Sequence, residues 1–151
     1  KTSVVVNSNS KNEIFQNAKI NFHIINGKID FNKTKFINED IGSLVLNNSN
    51  LFLKNNKLIF NSDILINIEN LDRLFSFLNI NKISRKKFQN ILINLDYDFL
   101  ENQIKFNNVK IDNNIINDQL LTIIDGFVDN ELNNLIKSRK LINEILKNYE
   151  G

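Results

Sequence analysis

The stretch from Ser43 to Leu78 constrains the fold of this chain more than any other. Its leucine, isoleucine and phenylalanine residues first alternate with polar residues in short runs that are separated by Asn-rich breaks. Side chains alternate between the two faces of a strand, so each run predicts a strand with one apolar and one polar face. Asn55-Asn56 suits a tight hairpin, because asparagine tolerates positive φ. The stretch therefore predicts a β-meander.

After Glu69 the hydrophobic residues change to the period of a helix. They stand at i, i+3, i+4 and i+7, on Leu71, Leu74, Phe75 and Leu78. Asn70 precedes them and is a residue type that caps helix N-termini. The pattern predicts one short amphipathic helix at 70–78, within the strands.

Further strands are predicted on both sides of this stretch. Ala18–Ile25 alternates and leads into Asn26-Gly27, a pair typical of a type I′ hairpin turn. The cleanest alternation runs from Asn90 to Phe99. After Ile104 and Phe106 it slips by one residue at Asn107-Asn108, which indicates a bulge or a strand end.

The last third of the chain is predicted to be helical. Asn117 or Asp118 can cap a helix at Gln119–Phe127, and an amphipathic helix follows at Glu131–Tyr149. The fold class is then α+β: a twisted, mostly antiparallel meander of about seven to nine strands over residues 1–112, with the helix at 70–78 inside it. The helical end, 117–150, is expected to pack at one end of the sheet.

Length and composition indicate one domain and exclude several classes of site. A chain of 151 residues can bury roughly 70% of its unfolded surface. Because the chain has no methionine, we expect 1–151 to be a fragment or processed form that begins inside a longer protein; its position as the C-terminal fragment is implied by the resemblance described below. No run reaches the ~20 apolar residues of a membrane span. The chain has no cysteine, which excludes disulfides and thiolate metal sites, and its net charge of +2 is too small to indicate nucleic acid.

No residue carries recognisable catalytic chemistry. A single histidine, His23, excludes a His-based triad or a multi-histidine metal site within these residues. Asp96 and Asp98 share a strand face and could in principle divide acid and base work, but nothing near them in sequence supplies the raised pKa of an acid. Four dispersed glycines exclude a Gly-rich phosphate loop. The sequence therefore predicts a protein that is not an enzyme, with no catalytic, cofactor or metal site.

The apolar strand faces leave two interpretations open. They can be the core between a one-sided sheet and the helices, or part of the face can stay uncovered and line a groove for phospholipid acyl chains. The candidate lipid-facing residues come from three predicted strands and are Ile64, Ile66, Ile68, Ile91, Ile93, Leu95, Ile104 and Phe106. The basic loop at 84–87, SRKK, could contact lipid head groups, but three cations attract them weakly and a solubilising loop is favoured.

The order of these elements resembles a known family. It runs from ILINIENLDRLFSFL (64–78) to the hairpin NILINLDYDFLENQIKFNNVKID (90–112), then LLTIIDGF (120–127) and a terminal helix that closes with NYEG (148–151). This order resembles the C-terminal region of AsmA-like proteins of Gram-negative bacteria, relatives of TamB and YhdP. The resemblance covers the chain from Lys19 to its end. It is carried by strand patterning, since the family has no invariant catalytic motif.

The resemblance implies a non-enzymatic module of the cell envelope. Proteins of this family extend a β-rich, apolar-lined groove through the periplasm and are implicated in phospholipid transport between membranes and in outer-membrane assembly. They are anchored in the inner membrane by an N-terminal helix, which would lie outside these residues. Phospholipid acyl chains are the implied ligand, and envelope proteins are the implied partners. The alternative is a secreted or surface β-rich interaction module, adhesin-like, whose Asn-rich faces and turns contact a partner.

Overall fold

A computed structural model describes residues 2–7, 14–112, 114–116, 118–125 and 135–149. These residues form one nine-stranded antiparallel sheet with a short helix inside the chain and two helices after it, which confirms the predicted fold. The strands are β1 Thr2–Asn7, β2 Asn17–Ile25, β3 Lys28–Asp30, β4 Thr34–Asn38, β5 Gly42–Lys54, β6 Lys57–Ile68, β7 Asn90–Asp98, β8 Gln103–Ile111 and β9 Asn114–Ile115. The helices are α1 Leu71–Leu78, α2 Asp118–Asp125 and α3 Leu135–Asn148, with a 3-10 turn at Lys82–Ser84.

The sheet follows the chain from one edge to the other. Its strand order is β1-β2-β3-β5-β6-β7-β8-β9, and β4 lies beside β3 between β2 and β5. The first half of β2 therefore pairs with β4 and its second half with β3. The short β9 carries the sheet slightly beyond residue 112, where the sequence placed its end.

Two long strands replace the short runs predicted between residues 43 and 68. In β5 the Asn-rich break is a β-bulge: Asn47 faces Asp63, Asn50 faces Asn61, and the extra residue between them lets the strand continue. The predicted break within β6 is absent, since that strand is continuous over Lys57–Ile68. Treating these asparagines as strand ends was wrong, because a bulge shifts the phase of the alternation without ending the pairing.

The predicted turns and the second bulge are confirmed. Asn26 and Gly27 have φ of 50° and 74°, and Asn55 and Asn56 have φ of 51° and 62°, as tight hairpin turns require. The slip at 107–108 is a bulge in β8, where the register against β7 shifts by one residue at Asn107.

The mid-chain helix has the predicted limits, and the C-terminal helices are described over part of their predicted ranges. The Asn70 side chain caps α1 by accepting a hydrogen bond from the backbone N–H of Arg73 at 3.0 Å. Among the described residues, α2 covers Asp118–Asp125 and α3 covers Leu135–Asn148, and Tyr149, predicted to be helical, follows α3. The remaining predicted helical positions at 126–127 and 131–134, and the alternative cap Asn117, lie outside the described residues.

All three helices pack against the same face of the sheet, around the carboxyl end of β6. The buried core there combines side chains from the helices, the connecting loops and two strands, β6 and β8: Ile68, Phe75, Ile80, Phe88, Val109, Ile111, Ile116, Leu120, Ile124, Leu146 and Tyr149. We call this set the helix-packed core. Burying these apolar side chains supplies the main stabilisation of the fold.

Thr34 binds the backbone of β2 at the position where β2 changes its partner strand from β4 to β3. Its hydroxyl accepts a hydrogen bond from the backbone N–H of Asn21 and donates one to the carbonyl of the same residue, both at 3.0 Å. We expect Thr34→Val to destabilise the protein by about 1–2 kcal/mol, because the isosteric side chain leaves this part-buried amide without its partner. Urea denaturation measures the loss. Thr34→Ser keeps the hydroxyl and should keep most of the stability; a loss in Thr34→Ser without a loss in Thr34→Val would show that the methyl group matters instead.

Candidate functional site

One face of the sheet is apolar from strand to strand, because facing residues of neighbouring strands share a face. Across the last four long strands, Leu44 faces Ile66, Ile66 faces Ile91, and Ile91 faces Ile111. Across the first strands, Val4 faces Ile20, while Ile24 faces Ile29 and Ile29 faces Leu51. The alternation within each strand connects these rows, so one apolar face extends over the whole width of the sheet.

The structure brings the eight candidate residues together on this face, and most of them pack under the helices. Ile68 belongs to the helix-packed core, and four others pack against it: Ile66, Ile91, Ile93 and Phe106. Leu95 is also buried. Ile64 and Ile104 are half-buried and lie outside this core. The face named from the sequence is therefore mainly the part that the helices cover.

The uncovered part of the same face lies on β2, β3 and β5, which the candidate set did not include, and on the first half of β6. Its residues are half-buried or exposed, and among the described residues they lie outside the helix-packed core: Ile20, Phe22, Ile24, Ile29, Phe31, Leu46, Leu51, Leu53, Leu58 and Phe60. We call this set the open face. The signal that could have found it was present in the sequence, since β2 and β5 alternate as clearly as β6 does.

The open face ends at a row of hairpin tips. The turns that join β2 to β3, β5 to β6 and β7 to β8 lie at the end of the sheet away from α1. Each tip exposes at least one large apolar side chain, represented by Ile24, Leu53 and Leu100. Nearer the middle, the rings of Phe31 and Phe60 make an edge-to-face contact with centroids 6.2 Å apart. The open face therefore has two packed aromatic rings near its middle and exposed apolar side chains at the hairpin tips.

Three polar side chains at the centre of this face are small and hidden. Ser49 and Ser62 are fully buried, with their hydroxyl oxygens 2.5 Å apart in a mutual hydrogen bond. Thr34 is 1% exposed and bonds the backbone, as described above. These hydroxyls therefore do not present hydrogen-bonding groups to a ligand on the open face.

The opposite face carries apolar residues such as Val45, Leu65 and Leu92 together with most of the strand asparagines and carboxylates, and several of these asparagines bond neighbouring carboxylates. The Asp63 carboxylate accepts hydrogen bonds from the amides of Asn48 (2.8 Å) and Asn94 (2.5 Å). The Asp96 carboxylate accepts from Asn61 (2.8 Å) and Asn107 (2.9 Å). Asn48 and Asn107 lie at the two bulges. Their hydrogen bonds therefore link the bulge in β5 to β6 and the bulge in β8 to β7.

Asp98 has a different environment from Asp96, which separates the two carboxylates once considered as an acid–base pair. Lys57 Nζ lies 3.1 Å from the Asp98 carboxylate and 3.0 Å from that of Glu101. Desolvation acts to raise the pKa of Asp98, but hydrogen bonds from the backbone N–H of Glu101, from Lys57 and from the backbone N–H of Leu100 outweigh it and lower the pKa. The hydrogen bonds to Glu101 and then Asp98 raise the pKa of Lys57. This is an ion-pair cluster at the hairpin tips rather than a general acid.

These two pKa shifts predict how the cluster responds to pH. The pKa of Asp98 is lower in the folded state than in the unfolded state. The ionised carboxylate therefore contributes to the free energy of unfolding above the unfolded-state pKa, and this contribution is lost as the pH falls through the folded-state pKa. Because the pKa of Lys57 is raised, its contribution is present at neutral pH and is lost only in strong base. We expect Lys57→Met to weaken the fall in stability between neutral pH and about pH 3, measured as the urea midpoint at each pH.

Lys54→Met is the matched control for that experiment. Lys54 faces Lys57 across the same turn and is exposed, without an ion pair among the described residues. Its removal should leave the acid-side slope unchanged. Equal slopes for the two variants would contradict a specific role of the Lys57 cluster.

The remaining polar candidates give no reactive arrangement. His23 Nδ1 lies 3.9 Å from an Asp30 carboxylate oxygen, and the two face each other on neighbouring strands, on the face opposite the open face. Within the described ranges, no three His, Cys, Asp or Glu side chains are placed to hold a metal ion. A depression of about 400 Å³ beside the start of α1 mixes acidic and basic side chains; it is lined by Glu69, Asn70, Leu71, Asp72, Phe75, Arg85, Lys86 and Lys87.

The chain was compared with known proteins at three levels. Protein-family models, curated proteins and solved structures gave no match. Among the described residues, no helix has both the length and the apolar character needed to cross a membrane. The open face is the candidate functional site, and this assignment is based on the geometry of this chain alone.

Proposed function

We propose that the protein is a non-enzymatic module of the cell envelope that holds phospholipid acyl chains on the open face. The observation that carries the proposal is the continuation of one apolar sheet face beyond the strands that the helices cover. The placement in the periplasm, the anchor in the inner membrane, and a role in phospholipid transport and outer-membrane assembly come from the resemblance to AsmA-like proteins.

The chemistry of the open face suits a flexible hydrocarbon chain. Contiguous apolar patches of more than a few hundred Å² are rare on soluble monomers and mark sites of interaction. Burying one methylene group is worth about 0.8 kcal/mol, so an acyl chain along several strands gains substantial free energy without any polar contact. The buried hydroxyls of Thr34, Ser49 and Ser62 remove the polar groups that a hydrocarbon chain would otherwise have to desolvate.

The adhesin-like alternative has less support. It requires Asn-rich faces that are free to contact a partner, whereas the amides of Asn48, Asn61, Asn94 and Asn107 donate to carboxylates within the sheet. It was also expected to lack helices at the C-terminal end, where the structure has α2 and α3.

The direct test is native mass spectrometry of the chain after gentle purification without detergent exchange. We expect bound phospholipid. Ile24→Asp should reduce the bound fraction strongly, because Ile24 is 74% exposed on the open face and a carboxylate there is incompatible with hydrocarbon. Ile25→Asp is the matched control: the neighbouring isoleucine points to the opposite face and is 53% exposed.

Two results would contradict the proposal, and a third would transfer the test to another variant. A well-folded, lipid-free chain would mean that the open face holds no acyl chain. Equal lipid loss for the two isoleucine variants would mean that binding does not distinguish the faces. If Ile24→Asp loses lipid and also has a changed circular dichroism spectrum, the loss is assigned to misfolding. The test then moves to Leu51→Asp, at the centre of the open face, which must lose lipid while staying folded.

A further inference from the structure

The hairpin tip between β2 and β3 joins an unrestrained asparagine to a glycine. The pair Asn26-Gly27 occurs once in the chain. Residues 24–28 are all exposed, and Ile25 pairs with Lys28 across the turn, so the N–H of Gly27 lies outside the strand pairing. Among the described residues, the Asn26 side chain has no hydrogen-bond partner. The side-chain amide of Asn26 and the backbone nitrogen that follows it are therefore both accessible.

Other asparagines that precede a small residue are restrained. Asn17, Asn48 and Asn61 precede alanine or serine, but each donates its side-chain amide to a carboxylate, at 2.8 Å in all three cases. All three also lie within strands. An asparagine held by its backbone and by its side chain can react with the next backbone nitrogen only after local unfolding.

We infer that Asn26 is a site of spontaneous deamidation, through a cyclic imide formed with Gly27. The backbone nitrogen of Gly27 attacks the side-chain Cγ atom of Asn26. The bond from Cγ to Nδ2 breaks, and Nδ2 leaves as ammonia with the proton that the attacking nitrogen loses. Water then opens the ring. Cleavage of the new bond to Cγ gives aspartate, and cleavage of the original peptide bond between the two residues gives isoaspartate.

The glycine and the short hairpin make this position reactive. A residue with a Cβ would hinder the approach of its own backbone nitrogen, whereas glycine has none. The two residues, with φ of 50° and 74°, must leave the tight turn to cyclise. Strand β3 has only three residues, and an exposed end of a short strand opens at low cost in free energy.

The products change the hairpin tip. Both carry a negative charge that asparagine lacks, and isoaspartate also adds a methylene group to the backbone of a two-residue turn. The pairing of Ile25 with Lys28 should then be lost, because that pairing requires the geometry of the two-residue turn. Since Ile24 belongs to the open face, deamidation would also alter the margin of that face. This last consequence rests on the proposed function, whereas the modification itself does not.

The turn between β5 and β6 is the matched control within the same chain. Asn55 and Asn56 are exposed and have φ of 51° and 62°, so this tip differs chiefly in having asparagine where the other has glycine. We expect peptide mapping by mass spectrometry, after incubation of the lipid-free chain in mildly alkaline buffer, to find aspartate and isoaspartate at Asn26 before Asn55 reacts. Asn56→Gly should make Asn55 a second site of conversion.

Gly27→Ala separates the chemistry from the looseness of the turn. It should slow conversion at Asn26 about tenfold or more, although a weaker turn alone would speed it; tenfold corresponds to a barrier raised by about 1.4 kcal/mol. An intact Asn26 in the folded chain, under conditions in which a synthetic peptide of residues 20–32 has reacted, would overturn the inference. Equally fast conversion at the three restrained asparagines, or an unchanged rate in Gly27→Ala, would also overturn it. Since these measurements use lipid-free protein, their outcome is independent of lipid binding.

Discussion

Replacing Gly42 with alanine is expected to destabilise the protein by about 3 kcal/mol or more. A Cβ atom built at this position would lie 2.1 Å from the backbone carbonyl oxygen of Asn67 and 3.1 Å from the backbone nitrogen of Glu69. Both neighbours are main-chain atoms, so no side chain can turn away to make room. Gly42 also has φ of +146°, a conformation that residues with a Cβ rarely adopt.

The place of the clash makes the effect large. Gly42 begins β5 and faces Ile68, a residue of the helix-packed core. Next to it, the backbone N–H of Glu69 donates a hydrogen bond to the carbonyl of Ile41 at 2.9 Å. Relief of the contact would have to separate the first residues of β5 from the end of β6, so we expect thermal and urea unfolding both to report the loss.

Gly27→Ala is the matched control. Gly27 also has positive φ, +74°, but a Cβ there would meet no atom within 4 Å. Its substitution should cost only the conformational strain of an L-residue in that region, about 1–2 kcal/mol. Equal losses at the two glycines would show that backbone conformation alone, and not the contact with Asn67, determines the cost at Gly42.

The sequence predicted the elements whose signals are local. Helix α1 has the predicted limits because the change of period after Glu69 coincides with a capping side chain at Asn70. The bulge in β5 was missed because the same one-residue slip can end a strand or bend it. Whether the slip becomes a bulge or a strand end depends on a residue that is distant in sequence. Asn48 at the bulge donates a hydrogen bond to the carboxylate of Asp63 on β6, and the pairing of β5 with β6 brings these two residues together.

The Asn-rich composition also has a structural basis that composition alone does not reveal. Among the described residues, eight that are not glycine have positive φ, and six of them are asparagines: Asn26, Asn48, Asn55, Asn56, Asn79 and Asn102. Asparagine adopts this region more readily than other residues with a Cβ. In a chain with four glycines, asparagine takes the turn, cap and bulge positions that glycine often occupies.

The coverage of the apolar face could not be predicted from periodicity. Alternation identifies which residues share a face, but it does not indicate which strands a later helix will cover. Helices α2 and α3 follow β9 in the chain, and short connections place consecutive elements next to each other. They therefore fold back on the part of the sheet formed by β6, β7 and β8, where all eight candidate residues lie, and leave β2, β3 and the second half of β5 uncovered.

This division predicts opposite outcomes for the same substitution on the same face. Ile111→Ala should destabilise the protein by about 2–5 kcal/mol, because Ile111 is 2% exposed within the helix-packed core and truncation leaves a cavity. Ile24→Ala, on the open face, should change the free energy of unfolding by no more than about 0.5 kcal/mol, since its side chain loses little burial. Urea denaturation of the two variants, at equal protein concentration, measures both values.

Lipid binding should show the reverse order. The side chain of Ile24 is free to contact a ligand, whereas that of Ile111 packs within the folded chain. Ile24→Ala should therefore lower phospholipid retention more than Ile111→Ala does, when retention is measured on the folded fraction of each variant. A cost at Ile24 as large as that at Ile111 would mean that this part of the sheet is covered in the free protein and offers no surface to a lipid. A small cost at Ile111 would mean that the helices pack only loosely on β8.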